Sequence, residues 1–193
     1  MRVVFLCTGN AARSVMAGAA LEAHLPSVHV STAGTLVVEG QPMSIRTRAA
    51  LEAVGLAVPT HRSKQAGAEL AHADLVVGLA PEHVAWVRRQ HAALAARTAT
   101  LRRLCRDLPG ASGSLDERLT ALALDTVVLE DWEEVVDPGG GDGPVFEACA
   151  REIVALVPQL AAALAACASA GGDGGDGNVQ PLDTHEVTGR HGR

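Results

Sequence analysis

A short segment near the N-terminus holds the residues most suited to chemistry. Cys7 lies six residues before Arg13. The residues between them are Thr8, Gly9, Asn10, Ala11 and Ala12. A phosphate oxyanion needs several donors at once, and a loop that leads into a helix can supply them from successive backbone N–H groups. Gly9 and Asn10 tolerate the unusual backbone angles of such a loop. We therefore predict that residues 7–13 form a phosphate-binding loop.

Cys7 and Arg13 are the reactive groups of this loop. A guanidinium makes a two-point contact with phosphate. Inward N–H dipoles and the arginine charge favour a thiolate at Cys7, and Ser14 can donate a hydrogen bond to it. The spacing alone is a weak signal, but its position between a strand and a helix makes it specific. We predict that Cys7 is a nucleophile rather than a buried core thiol.

Asp137 is the candidate acid. Phosphoryl transfer requires a proton donor for the leaving group. Asp137 and Pro138 precede three glycines, at 139–141, which could form a rim loop. Taken alone, Asp-Pro-Gly is typical of an ordinary turn. Because the chain also carries Cys7, we interpret Asp137 as the general acid.

These residues must be positioned by an α/β framework. Residues 2–6 read as a buried strand, 7–13 as a loop and 14–24 as a helix that ends at Pro26. The alternation continues with strands at 28–32, 74–79 and 98–104, and with helices at 44–54, 81–95, 115–124 and 146–164. Pro158 should kink or split the last helix. We predict a three-layer α/β sandwich with a central four-stranded parallel sheet and helices on both faces.

Composition limits the function further. The 193 residues carry a net charge of −6, which argues against nucleic acid as a partner. The cysteines at 7, 105, 149 and 167 match no zinc pattern, so we expect free thiols, no metal and no other cofactor. We find no apolar run of membrane-spanning length and no signal peptide, and therefore expect a cytoplasmic protein without a membrane partner. Residues 1–168 should form one domain, followed by a disordered Gly/Asp-rich tail at 169–193.

The chain resembles the low-molecular-weight protein tyrosine phosphatase family, which shares its fold with thioredoxin-coupled arsenate reductases. The matching segments, in order, are residues 4–14 (VFLCTGNAARS), 31–35 (STAGT), 61–65 (HRSKQ), 73–77 (ADLVV) and 136–138 (VDP). They cover roughly residues 2–160. The first and last are specific for the chemistry, and the middle ones support the fold.

The resemblance implies a mechanism that needs no metal. Cys7 attacks phosphorus to form a phosphocysteine, while Arg13 and the loop N–H groups hold the phosphoryl oxygens. Asp137 protonates the leaving group and then activates water, and inorganic phosphate is released. Asn10 holds the loop shape, Ser14 tunes the thiolate and His61 is structural. The substrate would be a phosphorylated protein, on tyrosine or a related residue, or a small phosphoester.

The sequence departs from the family at the walls of the site. Members often carry an aromatic residue after Asp-Pro and another on the opposite wall, which sandwich a phenyl ring. Here Gly139 follows Pro138, and the opposite wall near 36–38 is aliphatic, so stacking on phosphotyrosine would be weak. Many members also have a cysteine inside the loop, where this chain has Ala12, so the usual protective disulfide cannot form.

Two alternatives remain open from the sequence. An arsenate reductase would use the same loop for arsenate and a further thiol as electron relay, for which Cys105 is the candidate. A non-catalytic phosphate-binding module would keep the loop without turnover. The lack of a close cysteine pair outside the loop counts against the reductase, and the presence of a nucleophile, an arginine and an acid counts against the binding module, so the phosphatase is favoured.

Overall fold

The computed structural model describes residues 1–170, so the predicted tail lies almost entirely outside the described residues. The strands are β1 (Arg2–Cys7), β2 (His29–Gly34), β3 (Leu75–Gly78) and β4 (Thr98–Thr100). The α-helices are α1 (Arg13–His24), α2 (Ile45–Ala53), α3 (Pro81–Gln90), α4 (Leu101–Asp107), α5 (Leu115–Leu122) and α6 (Gly143–Ala170). Short 3-10 helices occupy Ala92–Arg97, Leu108–Gly110 and Asp131–Glu133.

The strands form one parallel four-stranded sheet in the order β2-β1-β3-β4. Because β1 and β3 are central, their carboxyl ends lie side by side in the middle of one sheet edge. In open parallel sheets this edge is where ligands bind. The sheet and the helices on its two faces confirm the predicted fold.

The alternation of side chains along β1 separates two hydrophobic cores. Val3 and Phe5 pack into the larger core, which α1 and α6 cover. Val4 and Leu6 pack into the smaller one on the other face, together with Val87 of α3. Each fully buried side chain of this size contributes about 1.5–3 kcal/mol. With both faces covered, β1 is a rigid support for the residue at its end.

Helix α6 differs most from the expectation. It is one continuous helix of 28 residues with Pro158 inside it, so the predicted split at Pro158 does not occur. By length and composition it could cross a membrane, so the prediction that no apolar run has this length is wrong. Its buried side chains pack in the main core against α1, α2 and α4, as those of a core helix do.

Two other elements also differ from the prediction. The run 98–104 is only partly a strand, because β4 ends at Thr100, whose hydroxyl accepts from Arg103 N and caps α4. Helix α3 stops at Gln90 rather than 95, and a 3-10 helix follows it. Helix α2 agrees with the prediction, since the side chain of Ser44 caps it.

Candidate active site

The loop between β1 and α1 places Cys7 in the centre of the sheet edge. Cys7 ends β1 and is only 3% exposed. Its Sγ lies 3.0 Å from Ser14 Oγ, which is fully buried in the first turn of α1. Ser14 Oγ accepts a hydrogen bond from Asn10 Nδ2 at 3.0 Å, so its own proton is available to the sulfur. This contact matches the predicted pairing of Ser14 with Cys7.

Asn10 shapes the loop. It is the loop residue with a left-handed backbone, at φ 48°, and it is fully buried. Its Nδ2 donates to Ser14 Oγ and, at 2.9 Å, to Thr32 Oγ1, while its Oδ1 accepts from Lys64 N at 2.9 Å. Gly9, expected to need unusual angles as well, has no positive φ, and a Cβ there would meet nothing within 4 Å.

The carbonyl of Asn10 is held from a second segment. It accepts from His61 Nε2 at 2.6 Å and from Ser63 Oγ at 3.0 Å. Burial lowers the pKa of His61, and the charge of Lys64 lowers it further against the opposing effect of the Asn10 carbonyl. Because a carbonyl only accepts, the neutral ring must carry its proton on Nε2. His61 thus braces the loop, in agreement with its expected structural role.

The loop contains a row of backbone amides without a protein partner within residues 1–170. Within residues 1–170, no protein acceptor pairs with the backbone N–H groups of Thr8, Gly9, Asn10, Ala11 and Ala12. The carbonyl of Ala11, in contrast, accepts a hydrogen bond from Thr47 Oγ1, in the first turn of α2, at 2.8 Å. Successive unpaired amides beside a helix start form an anion-binding nest.

Arg13 and Asp137 meet at this loop. The Arg13 side chain is 2% exposed, and its Nη2 donates to Asp137 Oδ2 at 2.7 Å. Its Nη1 donates to the carbonyl of Val135 at 3.2 Å. Asp137 is 51% exposed, and its other oxygen accepts from Gly139 N at 3.0 Å. The predicted acid and the predicted phosphate clamp are therefore neighbours, although they lie 124 residues apart in the chain.

A buried ion pair anchors the segment that carries Asp137. Glu133, fully buried, accepts from Arg103 Nε at 2.9 Å and from Thr100 Oγ1 at 2.7 Å. Burial alone would raise the pKa of Glu133, but the hydrogen bonds from Arg103 and Thr100 outweigh it and lower the pKa. Arg103 also lies 5.5 Å from the ring centroid of Trp132. From this anchor the chain runs to Val135, whose N–H donates to Leu79 O beyond β3.

The residues expected to form the walls of the site are aliphatic and exposed. Leu36 and Val38 are 76% and 71% exposed, and Leu36 N donates to Thr8 O. Val136, beside Asp137, is also exposed. The predicted lack of an aromatic sandwich therefore holds for these walls.

The other cysteines are buried thiols. Cys105 Sγ donates to Leu156 O at 3.3 Å, and burial raises the pKa of Cys105 to about 11. Burial also raises the pKa of Cys149 to about 12. A thiol relays electrons through its thiolate, so this environment does not favour the electron-relay role considered for Cys105.

Sequence reasoning missed several residues that contact the loop. His83, in the first turn of α3, is fully buried with its Nε2 3.1 Å from Thr8 Oγ1. Thr47 and Ser63 were not singled out individually. The available signal was topological: a helix that starts just after β3 must begin beside the end of β1.

The parallel sheet and the cysteine loop at its edge define a cysteine-dependent phosphatase. The chain belongs to the low molecular weight phosphotyrosine protein phosphatase family, whose family model matches residues 2–170. Family membership also supports a phosphocysteine intermediate, as the resemblance implied.

Comparison with known proteins identifies relatives of similar length. A protein-arginine-phosphatase from Geobacillus stearothermophilus is 31% identical over 166 residues, which are 83% of this chain and 93% of the relative. The structure of the YwlE arginine phosphatase from the same organism has a TM-score of 0.68 at 28% identity, covering 85% of this chain and 92% of that one. A low molecular weight protein tyrosine phosphatase from T. tengcongensis gives 0.65 at 28% identity, covering 83% and 97%.

Proposed function

We propose that this enzyme removes phosphate from arginine side chains of proteins, with Cys7 as nucleophile, Arg13 as phosphate clamp and Asp137 as general acid. The observation that carries the proposal is the position of Cys7 Sγ, 3.0 Å from Ser14 Oγ and at the start of a loop whose amides have no protein acceptor within residues 1–170. Free thiols at all four cysteines support the predicted cytoplasmic location.

The chemistry proceeds in two steps. Cys7 sulfur attacks phosphorus, the bond from phosphorus to the leaving group breaks, and Asp137 gives its proton to the departing atom. Arg13 and the amides of Thr8–Ala12 hold the phosphoryl oxygens while charge redistributes. Water activated by Asp137 then attacks phosphorus, which breaks the S–P bond and releases inorganic phosphate.

Phosphoarginine fits the walls of the site better than phosphotyrosine does. A phenyl ring gains most from aromatic walls, whereas Leu36 and Val38 offer only aliphatic contacts. The half-exposed Asp137 carboxyl offers a guanidine leaving group both a proton and a hydrogen-bond acceptor. The arginine phosphatase named among the relatives supports the same substrate.

A substrate comparison tests the proposal. We expect kcat/KM on an arginine-phosphorylated protein to exceed that on a tyrosine-phosphorylated peptide by at least about tenfold. Cys7→Ser should abolish both activities, and Asp137→Asn should lower kcat by about a hundredfold or more. Cys105→Ser is the matched control and should retain activity. Faster hydrolysis of phosphotyrosine would reject the arginine preference, and an active Cys7→Ser variant would reject the nucleophile.

A gain-of-function variant tests the wall argument. Leu36→Trp should raise the ratio of phosphotyrosine to phosphoarginine hydrolysis, because an indole at this exposed position can stack on a phenyl ring. Leu36→Ala controls for the loss of the leucine. An equal change in both variants would show that the ring is not the cause.

A further inference from the structure

His83 is a buried group that the two-step mechanism above does not use. It lies in the first turn of α3, which follows β3 and begins beside the end of β1. Its side chain is fully buried, and its Nε2 lies 3.1 Å from Thr8 Oγ1. Its Nδ1 is buried without a hydrogen-bond partner among residues 1–170. A buried imidazole with one partner in the phosphate loop is unusual enough to require an explanation.

The ring is neutral, and its surroundings select one tautomer. Burial and the nearby charge of Arg13 lower the pKa of His83 to about 3, against a smaller opposing effect of Asp137. A proton on Nδ1 would be a buried donor without an acceptor, which costs more than a bare lone pair. Glu82 Oε1, 3.7 Å from Nε2, also favours the proton on Nε2. His83 therefore donates from Nε2 to Thr8 Oγ1.

This assignment fixes what the Thr8 hydroxyl can do. A hydroxyl that accepts from an imidazole N–H keeps its own proton free to donate. Thr8 follows Cys7 directly and is half-buried, at the start of the loop whose amides have no protein acceptor within residues 1–170. Arg13 and Asp137 both shift the pKa of His83, so their charges lie near enough to the ring to act on it, and Glu82 Oε1 lies 3.7 Å from Nε2.

We propose that His83 is a positioning residue that directs the Thr8 hydroxyl proton onto an oxygen of the transferring phosphoryl group. The Thr8 side chain then adds one donor to those of the loop amides and Arg13. The inference rests on the proposed function and extends it to two residues outside the nucleophile, clamp and acid. No proton is transferred in this role, because Thr8 and His83 keep theirs throughout.

Substitutions at Thr8 measure the donor. A hydrogen bond to a charged phosphoryl oxygen strengthens as charge develops, so its loss should lower kcat/KM by roughly ten- to a hundredfold. We expect this loss in Thr8→Val, which is nearly isosteric, with aryl phosphate as substrate. Thr8→Ser retains the hydroxyl and should stay within about threefold of wild type. Because Thr8 is half-buried, both variants should fold.

A matched pair at His83 measures the positioning. His83→Gln keeps an N–H donor at the place of Nε2 and should retain most of the activity. His83→Asn moves its donor to the place of Nδ1, and His83→Leu removes it, so both should lose activity several-fold. In the Thr8→Val background these three substitutions should have equal effects on kcat/KM, because the hydroxyl that they position is gone. Thermal midpoints measured alongside separate this coupling from a general loss of stability.

The outcomes separate this inference from the proposed function. Wild-type kcat/KM in Thr8→Val, strictly additive losses at Thr8 and His83, or an asparagine variant as active as the glutamine one would each overturn the positioning role. Should all His83 variants fail to fold, the comparison of Thr8→Val with Thr8→Ser still decides whether the hydroxyl acts. Cys7→Ser and Asp137→Asn in the same assay report on the proposed function alone.

Discussion

Asn10 carries the conformation of the phosphate loop at the level of a single residue. Its side chain bonds to Ser14, Thr32 and Lys64 N, and its carbonyl is held by His61 and Ser63. Asparagine is among the few residues with a side chain that adopt a left-handed backbone at low cost. One residue therefore combines the turn, the link to the helix and the link to the neighbouring segment.

Replacing Asn10 separates these effects. Asn10→Ala removes its side-chain hydrogen bonds and places alanine at φ 48°, which together should destabilise the protein by about 2–4 kcal/mol. Asn10→Gly removes the bonds without the strain and should be more stable than the alanine variant by about 1 kcal/mol. Chemical denaturation measures both. An alanine variant as stable as the glycine one would show that the angle costs nothing here.

At the scale of elements, the segment that carries Asp137 depends on α4. Glu133→Ala leaves the guanidinium of Arg103 buried without its carboxylate, and breaking such a pair costs about 3–5 kcal/mol. We expect a lower denaturation midpoint and, because the path from Glu133 to Asp137 is loosened, a lower kcat. Replacing both partners, as in Arg103→Met with Glu133→Leu, should recover much of the stability. A double variant no more stable than Glu133→Ala would contradict this account.

The same pair predicts a pH dependence of stability. The folded pKa of Glu133 lies below its unfolded value, so its contribution is complete above the unfolded pKa, at about 4.3, and disappears as the pH falls through the folded pKa. Glu133→Gln cannot ionise. The difference in unfolding free energy between wild type and Glu133→Gln should therefore be constant near neutral pH and shrink below about pH 4. If the difference in unfolding free energy between the two proteins were unchanged at pH 3, ionisation of Glu133 would not be its cause.

Replacing Pro158 measures how much a proline inside α6 costs in stability. Proline has no N–H, so the Val154 carbonyl lacks its usual partner four residues later. Pro158→Ala should supply that donor and raise the unfolding free energy by about 1–3 kcal/mol, as measured by denaturation. Gln159→Ala, at an exposed neighbouring position, is the control. A loss of stability in Pro158→Ala would mean that the core requires the helix shape set by proline.

The strands and helices that were predicted correctly are those with clear patterns over a short stretch of sequence. The apolar run 2–6, the glycine and asparagine after it and the helix behind them are all readable within about twenty residues. The misread run 98–104 is too short for periodicity to separate strand from helix, and only the cap at Thr100 marks the change. Pro158 was expected to kink or split α6 because the local effect of a proline on a helix can be predicted from sequence. The packing around α6, which keeps the helix continuous, cannot be predicted in this way.

Across the whole molecule, all four cysteines are buried, and their polar surroundings distinguish Cys7 from the others. The pKa values of Cys105 and Cys149 are raised to about 11 and 12, so these thiols stay protonated near neutral pH. Cys7 instead adjoins Ser14 and the amide nest. We expect iodoacetamide at pH 7.5 to modify Cys7 alone in the native protein, as read by mass spectrometry, and inorganic phosphate to slow the reaction. Rapid alkylation of Cys105 or Cys149 in the native state would contradict this order.

The site was predictable only where its parts are close in the chain. Cys7, Arg13 and Ser14 form one motif, and Asp137 entered through a short dipeptide signal. The contact of Thr8 with His83 joins residues 75 apart, and that of Arg13 with Val135 joins residues 122 apart. Such contacts follow from the order of the strands in the sheet. The alternation of strands and helices in the sequence predicts a parallel sheet, but it does not predict which side chains touch.

The resting contact between Arg13 and Asp137 has a consequence for selectivity. Each opposite charge is already satisfied by the other, so an incoming anion that takes over the Nη2 donor of Arg13 releases the carboxylate. A simple inorganic anion leaves that carboxylate without compensation. In the proposed function, the guanidine group of a phosphorylated arginine would take the place of Arg13 beside the released oxygen of Asp137 and donate to it. Under the proposed function, the resting ion pair would therefore favour a ligand that carries both a phosphate and a donor group over a bare anion.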